Sequence, residues 1–97
     1  MPFEQGAPSS FTAISIQNNA PDTSGVYGLS NSREWILVGE ANNIRAALME
    51  HLRAANSSGA ARRPTGFSYE IAAPGKRLAR KNELVRELTP AEAPARR

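Results

Sequence analysis

The sequence has no cysteine and one histidine, His51. The first absence excludes disulfides and thiolate metal sites. The lone histidine has no His, Cys, Asp or Glu spaced as a metal partner, so a structural hydrogen bond is its expected role and no metal site is expected. Aromatic residues make up 6% of the chain, which predicts a modest core. No apolar run approaches the roughly eighteen residues of a membrane span. The first residues, MPFE, lack the basic start and apolar middle of a secretory signal. The expectation is a cytoplasmic protein without a membrane partner. No glycine-rich phosphate loop, dinucleotide fingerprint, nucleophile elbow or internal repeat is visible.

What is present is one small domain's worth of chain, 97 residues with formal charge +3. The charge is uneven. Residues 1–61 hold three arginines against five acids, whereas residues 62–97 hold nine cations against four acids. Ten of the twelve cations are arginine, whose planar fork matches phosphate. A composition bias toward Arg and Ala explains the same numbers.

Residues 1–10 are rich in Pro, Gly and Ser and read as a mobile leader, and residues 91–97 as a frayed basic tail. The domain is expected over 11–90. FTAISIQ, Phe11 to Gln17, is β-branched and partly alternating, and predicts an added N-terminal edge strand. Gly25 to Leu29 and Trp35 to Val38 predict a hairpin around the turn residues Ser30-Asn31-Ser32, with Trp35, Leu37 and Gly39 sharing one face. If Tyr27 shares that face, a single phenol stands among apolar neighbours. Asn42 to Ala55 predicts a helix capped by an amide side chain, with Ile44, Leu48 and Leu52 on its apolar stripe and Ala47 and His51 on the flank. A loop carrying Arg62 and Arg63 follows. Phe67, Tyr69 and Ile71 alternate as a third strand, and residues 76–88 predict a last helix with Leu78, Leu84, Val85 and Leu88 inward. Lys81 falls inside that stripe, an odd place for a cation: either it snorkels to an edge or it faces an anion.

Gly25-Val26-Tyr27, Gly39, Asn43-Ile44-Arg45 and His51, in this order and spacing, resemble the GIY-YIG nuclease family. The resemblance implies an α/β fold: a small antiparallel β-sheet with flanking helices, in the order β-β-α-β-α, to which the N-terminal edge strand would be added. It implies that Tyr27 stands where the family has its general base or water-orienting tyrosine, and that Gly39 and His51 occupy motif positions. It also exposes three departures. Leu37 replaces the tyrosine of the second tripeptide. Ala47 stands where the family has the arginine that neutralises the attacked phosphate. Lys81 aligns with the glutamate that holds the divalent metal.

Each lost electrostatic group commonly costs on the order of 10²–10³ in rate, and a lysine repels the Mg²⁺ that a glutamate would hold. Arg45 cannot replace the missing arginine, because two helical positions turn it about 200° from Ala47. The reading is a catalytically degenerate GIY-YIG-like domain whose groove binds nucleic-acid backbone through Tyr27, Lys81 and Arg80, with Arg62, Arg63 and Arg77 as further candidates. The alternatives are a protein-interaction module displaying Trp35 and Leu37, and a divergent Mg²⁺-dependent endonuclease.

Overall fold

In the computed structural model, residues 8–32, 34–58, 64–88 and 90 are described. Arg62, Arg63 and the expected tail lie outside them. Their central feature is a hairpin of β-branched and apolar residues. The strand running Gly25–Ser30 pairs antiparallel with Trp35–Ala41, opposing Tyr27 to Gly39 and Leu29 to Leu37. In chain order the elements are β1 (Ser9–Ser10), α1 (Ala13–Asn19), β2 (Gly25–Ser30), β3 (Trp35–Ala41), α2 (Ile44–Ser58), β4 (Gly66–Ile71) and α3 (Arg77–Leu88). The four strands form one antiparallel sheet in the order β1-β4-β2-β3. This is the expected β-β-α-β-α core with an N-terminal edge strand.

That edge strand is not where the alternation placed it. Ser9 and Ser10, expected in the leader, pair with Phe67 and Gly66. Most of FTAISIQ instead belongs to helix α1, because local capping outweighs β propensity. Thr12 sits in an extended conformation and its side chain accepts from the Ser15 amide at 3.2 Å. The helix buries Ile16 and leaves Ile14 at 73% exposure. It ends at Ala20, whose extended backbone suits the proline that follows.

The sheet's alternation divides the interior into two cores. On one face Tyr27, Leu29 and Phe67 pack with Ile16 of α1 and with Ile44 and Leu48 of α2. Leu37, Ala47, Met49 and Leu52 close its margin. On the other face Val26 and Val38 meet Leu84 of α3. Leu84 is fully buried, and burial of such a side chain stabilises by about 1.5–3 kcal/mol.

Two further expectations are corrected here. Trp35 packs with Val38 and Leu84, not on the Leu37 face, because the register shifts by one residue between Leu29 and Ser30. A one-residue shift moves a side chain to the opposite face. Leu78 is 54% exposed. The sheet-facing stripe of α3 is Arg77, Lys81, Leu84, Val85 and Leu88, all buried or half-buried, so its first two places are cationic.

Hydrogen bonds fix α2 at its start. The Asn43 side-chain oxygen accepts from the Ala46 amide at 2.9 Å, and its amide nitrogen donates to Asp22. The Ile44 amide donates to the Thr23 carbonyl at 2.8 Å. Gly25 lets the helix sit close: a Cβ there would collide with Ile44 Cδ1 and the Glu70 carbonyl oxygen.

One buried group lacks compensation. The Ser68 hydroxyl is fully buried and has no hydrogen-bond partner among the described residues. Removing such a hydroxyl also removes its desolvation cost. Ser68→Ala is therefore expected to leave stability unchanged or raise it by up to about 1 kcal/mol. Urea denaturation checks this, and a clear loss of stability would contradict it.

Candidate functional site

The two tripeptide-like segments lie side by side because β2 and β3 pair with Tyr27 opposite Gly39. Gly39 has no Cβ, and the phenol of Tyr27 occupies that space. An added Cβ would lie 2.5 Å from the Tyr27 hydroxyl and 2.7 Å from Cζ. From α2, one layer above the sheet, His51 reaches the same point, and its Nε2 is 2.9 Å from the Tyr27 hydroxyl. The rings are tilted at 56° with centroids 5.5 Å apart.

Tyr27, Leu37, Val38, Gly39, Glu40, His51 and Lys81 line one cleft of about 280 Å³ beside β3. The structure thus brings Tyr27, Gly39, His51 and Lys81 together from four elements. Leu37 joins them, on the Tyr27 face as the register requires. Ala47 is half-buried and packs against the core, outside the lining. Arg45 points elsewhere, donating from Nε to the Ala20 carbonyl at 3.0 Å. Asn43 serves as the α2 cap. Gly25 and Val26 are fold residues, the first spacing α2 from the sheet and the second filling the α3-side core.

The sequence reading missed Glu40. It follows Gly39 directly, so it projects to the opposite sheet face, where Arg77 of α3 bonds it at 2.7 Å. Arg77 also donates to Ser24 Oγ at 3.1 Å, and Ser24 donates to the Ala72 carbonyl at 2.7 Å. This chain of bonds ties the start of α3 to the sheet. The available signal was spacing: Arg77 and Lys81 lie one helical turn apart on the stripe that faces β3.

The candidate cations differ in their engagement. Arg77 is held by Glu40, and Arg80 bonds both carboxylate oxygens of Glu70 at 2.9 and 3.0 Å and Glu83 at 2.9 Å. The hydrogen bonds from Glu70, foremost, hold the Arg80 guanidinium charged beyond its already high ordinary range. Lys81 is half-buried, and among the described residues no hydrogen bond or ion pair engages it.

Burial, and secondarily the nearby Glu40 charge, push the Tyr27 phenol up to about 12. At neutral pH it therefore keeps its proton. With the imidazole proton on Nδ1, Nε2 accepts from the phenol; in the other tautomer the imidazole donates to the phenol oxygen.

Neither a protein-family model nor a curated protein sequence matches this chain. Solved structures do. A point mutant of the N-terminal GIY-YIG endonuclease domain of UvrC from Thermotoga maritima, bound to its catalytic divalent cation, aligns with TM-score 0.61 and 19% identity over 84% of this chain and 96% of that one. A second point mutant aligns with TM-score 0.57 and 18% identity, covering 77% and 91%. The same domain bound to magnesium aligns with TM-score 0.56 and 17% identity, covering 77% and 91%.

The fold is that of a GIY-YIG domain.

The aligned UvrC domains hold a divalent cation, and the described residues of this cleft do not fit one. The expected α3 carboxylate is Lys81, and the carboxylate in the cleft, Glu40, is bonded to Arg77. Among the described residues no group of three or more His, Cys, Asp or Glu side chains could hold a metal. No described helix is long and apolar enough to cross a membrane. Trp35 and Leu37, the anchors considered for a protein-binding patch, are half-buried against opposite cores.

Gly39→Ala is expected to displace the Tyr27 ring and lower stability by about 1–3 kcal/mol. Gly75→Ala, where a Cβ meets nothing within 4 Å, serves as the control. Urea midpoints of the two variants check the difference. The raised Tyr27 pKa carries a second expectation. Its folded value of about 12 exceeds the ordinary 10.0, so its contribution is complete below pH 10 and is lost as the pH rises toward 12. The loss amounts to about 3 kcal/mol, measured as the pH dependence of urea stability, and Tyr27→Phe should remove it.

Proposed function

We propose that this GIY-YIG-fold chain has lost metal-dependent cleavage and binds a nucleic-acid backbone, seating one phosphate in the cleft of Tyr27, His51 and Lys81. The observation that carries this reading is the ammonium of Lys81, half-buried and unengaged by the described residues, in place of the expected carboxylate. A lysine that no described residue engages leaves its charge and hydrogen-bond donors for an anion entering the cleft. A phosphate oxygen offers the required charge and hydrogen-bond capacity.

The Tyr27 hydroxyl and His51 supply polar contacts beside that cation, and Leu37 supplies an apolar wall. The basic carboxyl half of the chain supports attraction of a polyanion. Arg77 and Arg80 contribute through the ion pairs that hold α3, so most of the direct contact is assigned to Lys81. Backbone contact of this kind positions a strand without reading its sequence.

Fluorescence anisotropy with labelled DNA and RNA oligonucleotides across a salt series tests the proposal. Affinity should fall linearly on logarithmic axes as salt rises, and Lys81→Ala should weaken binding and reduce the slope by about one. No binding at low salt, or binding indifferent to salt, would remove the claim.

A further inference from the structure

The cleft holds more than a phosphate contact requires. A phenol and an imidazole are hydrogen-bonded at 2.9 Å at its wall, and Lys81 lines the same cleft. Glu40, the cleft's carboxylate, is occupied by Arg77 and so leaves the phenol–imidazole pair as the proton-transfer element. A pair of this kind can move a proton from a substrate hydroxyl, and a cation beside it can offset charge on a phosphate.

The side chains at the cleft decide which hydroxyl. Water attack on a phosphodiester needs more electrostatic help than one cation gives, and an alanine at position 47 and a lysine in place of a metal-binding carboxylate leave that one cation, each lost group costing on the order of 10²–10³ in rate. A nucleophile already attached to the substrate recovers that deficit, because a well-oriented internal group acts at effective concentrations of about 10⁵–10⁸ M. RNA carries such a group in its 2′-hydroxyl, and DNA does not.

We propose that the cleft cleaves RNA without a metal ion, the 2′-hydroxyl beside a bound phosphate being the nucleophile, Tyr27 and His51 the proton relay and Lys81 the contact to the phosphate oxygens. The inference rests on the seating of a phosphate in this cleft. The 2′-hydroxyl proton passes to the Tyr27 oxygen as the phenol proton passes to His51 Nε2. The bond from the 2′-oxygen to phosphorus forms, and the bond from phosphorus to the 5′-oxygen breaks. The departing 5′-oxygen takes a proton from solvent water, and the imidazolium returns its proton to the hydroxide so formed. The products are a 2′,3′-cyclic phosphate and a 5′-hydroxyl. Tyr27 and Lys81 are the catalytic residues, and His51 acts through Tyr27.

The test incubates the whole chain with 5′-labelled single-stranded RNA in EDTA, beside DNA and 2′-O-methyl RNA of the same sequence. The expected result is fragments ending in cyclic phosphate from RNA alone. The rate should fall on the acid side, where an imidazole is protonated; Glu40 and Lys81 are the other charged residues lining the cleft. Tyr27→Phe, His51→Gln and Lys81→Ala, each purified identically and shown to be folded by circular dichroism, should lower the rate on the order of 10²-fold. His51→Gln should also abolish the acid-side fall. Intact RNA, with 2′-O-methyl RNA still bound in a salt-dependent manner, would overturn this inference while leaving the binding reading in place. Cleavage that survives Tyr27→Phe and His51→Gln would also overturn it. Failure to bind 2′-O-methyl RNA would overturn both.

Discussion

The site depends on a steric constraint: the ring of Tyr27 fills the volume that any side chain at position 39 would need. β2 and β3 must pair so that these residues oppose each other, and position 39 must be glycine. With the phenol laid across that gap, its hydroxyl meets His51 one layer above. Packing of Ile44 and Leu48 against the sheet sets the height from which the imidazole descends. A backbone register, a missing Cβ and a helix face together fix one hydrogen bond.

On the opposite sheet face, α3 is held partly by charge. Leu84 fills the α3-side core, while Arg77 is fastened to Glu40 and Ser24, and Arg80 to Glu70 and Glu83. These pairs are partly shielded from solvent, and bidentate guanidinium–carboxylate contacts of this type orient as well as attract. Lys81 directly follows Arg80 and sits one turn beyond Arg77, and it shares no such contact among the described residues. The cations nearest the site therefore differ in their engagement: two anchor the helix, and the third is unengaged among the described residues.

Much of this could be read from residue order. The hairpin, the amide-capped helix and the later strand and helix follow from periodicity and turn chemistry, and Gly39 and His51, singled out by the GIY-YIG resemblance, both meet Tyr27 in the fold. Lys81 was conspicuous because a cation interrupts an apolar stripe. Three features escaped for local physical reasons. Thr12 caps a helix in a segment whose β-branched residues suggest a strand. The register shift near Ile36 turns Trp35 to the other face, which no alternation pattern shows. The ion pair of Glu40 with Arg77 joins positions 37 residues apart, and only the packing of α3 on β3 brings them together.

β3 is the outermost strand of the sheet, and the cleft is built on four of its consecutive residues, Leu37 to Glu40. A groove at a sheet margin can be approached sideways by a long molecule. Under the proposed binding, such a position suits an internal phosphate of a continuous strand better than a chain end threaded into an enclosed hole.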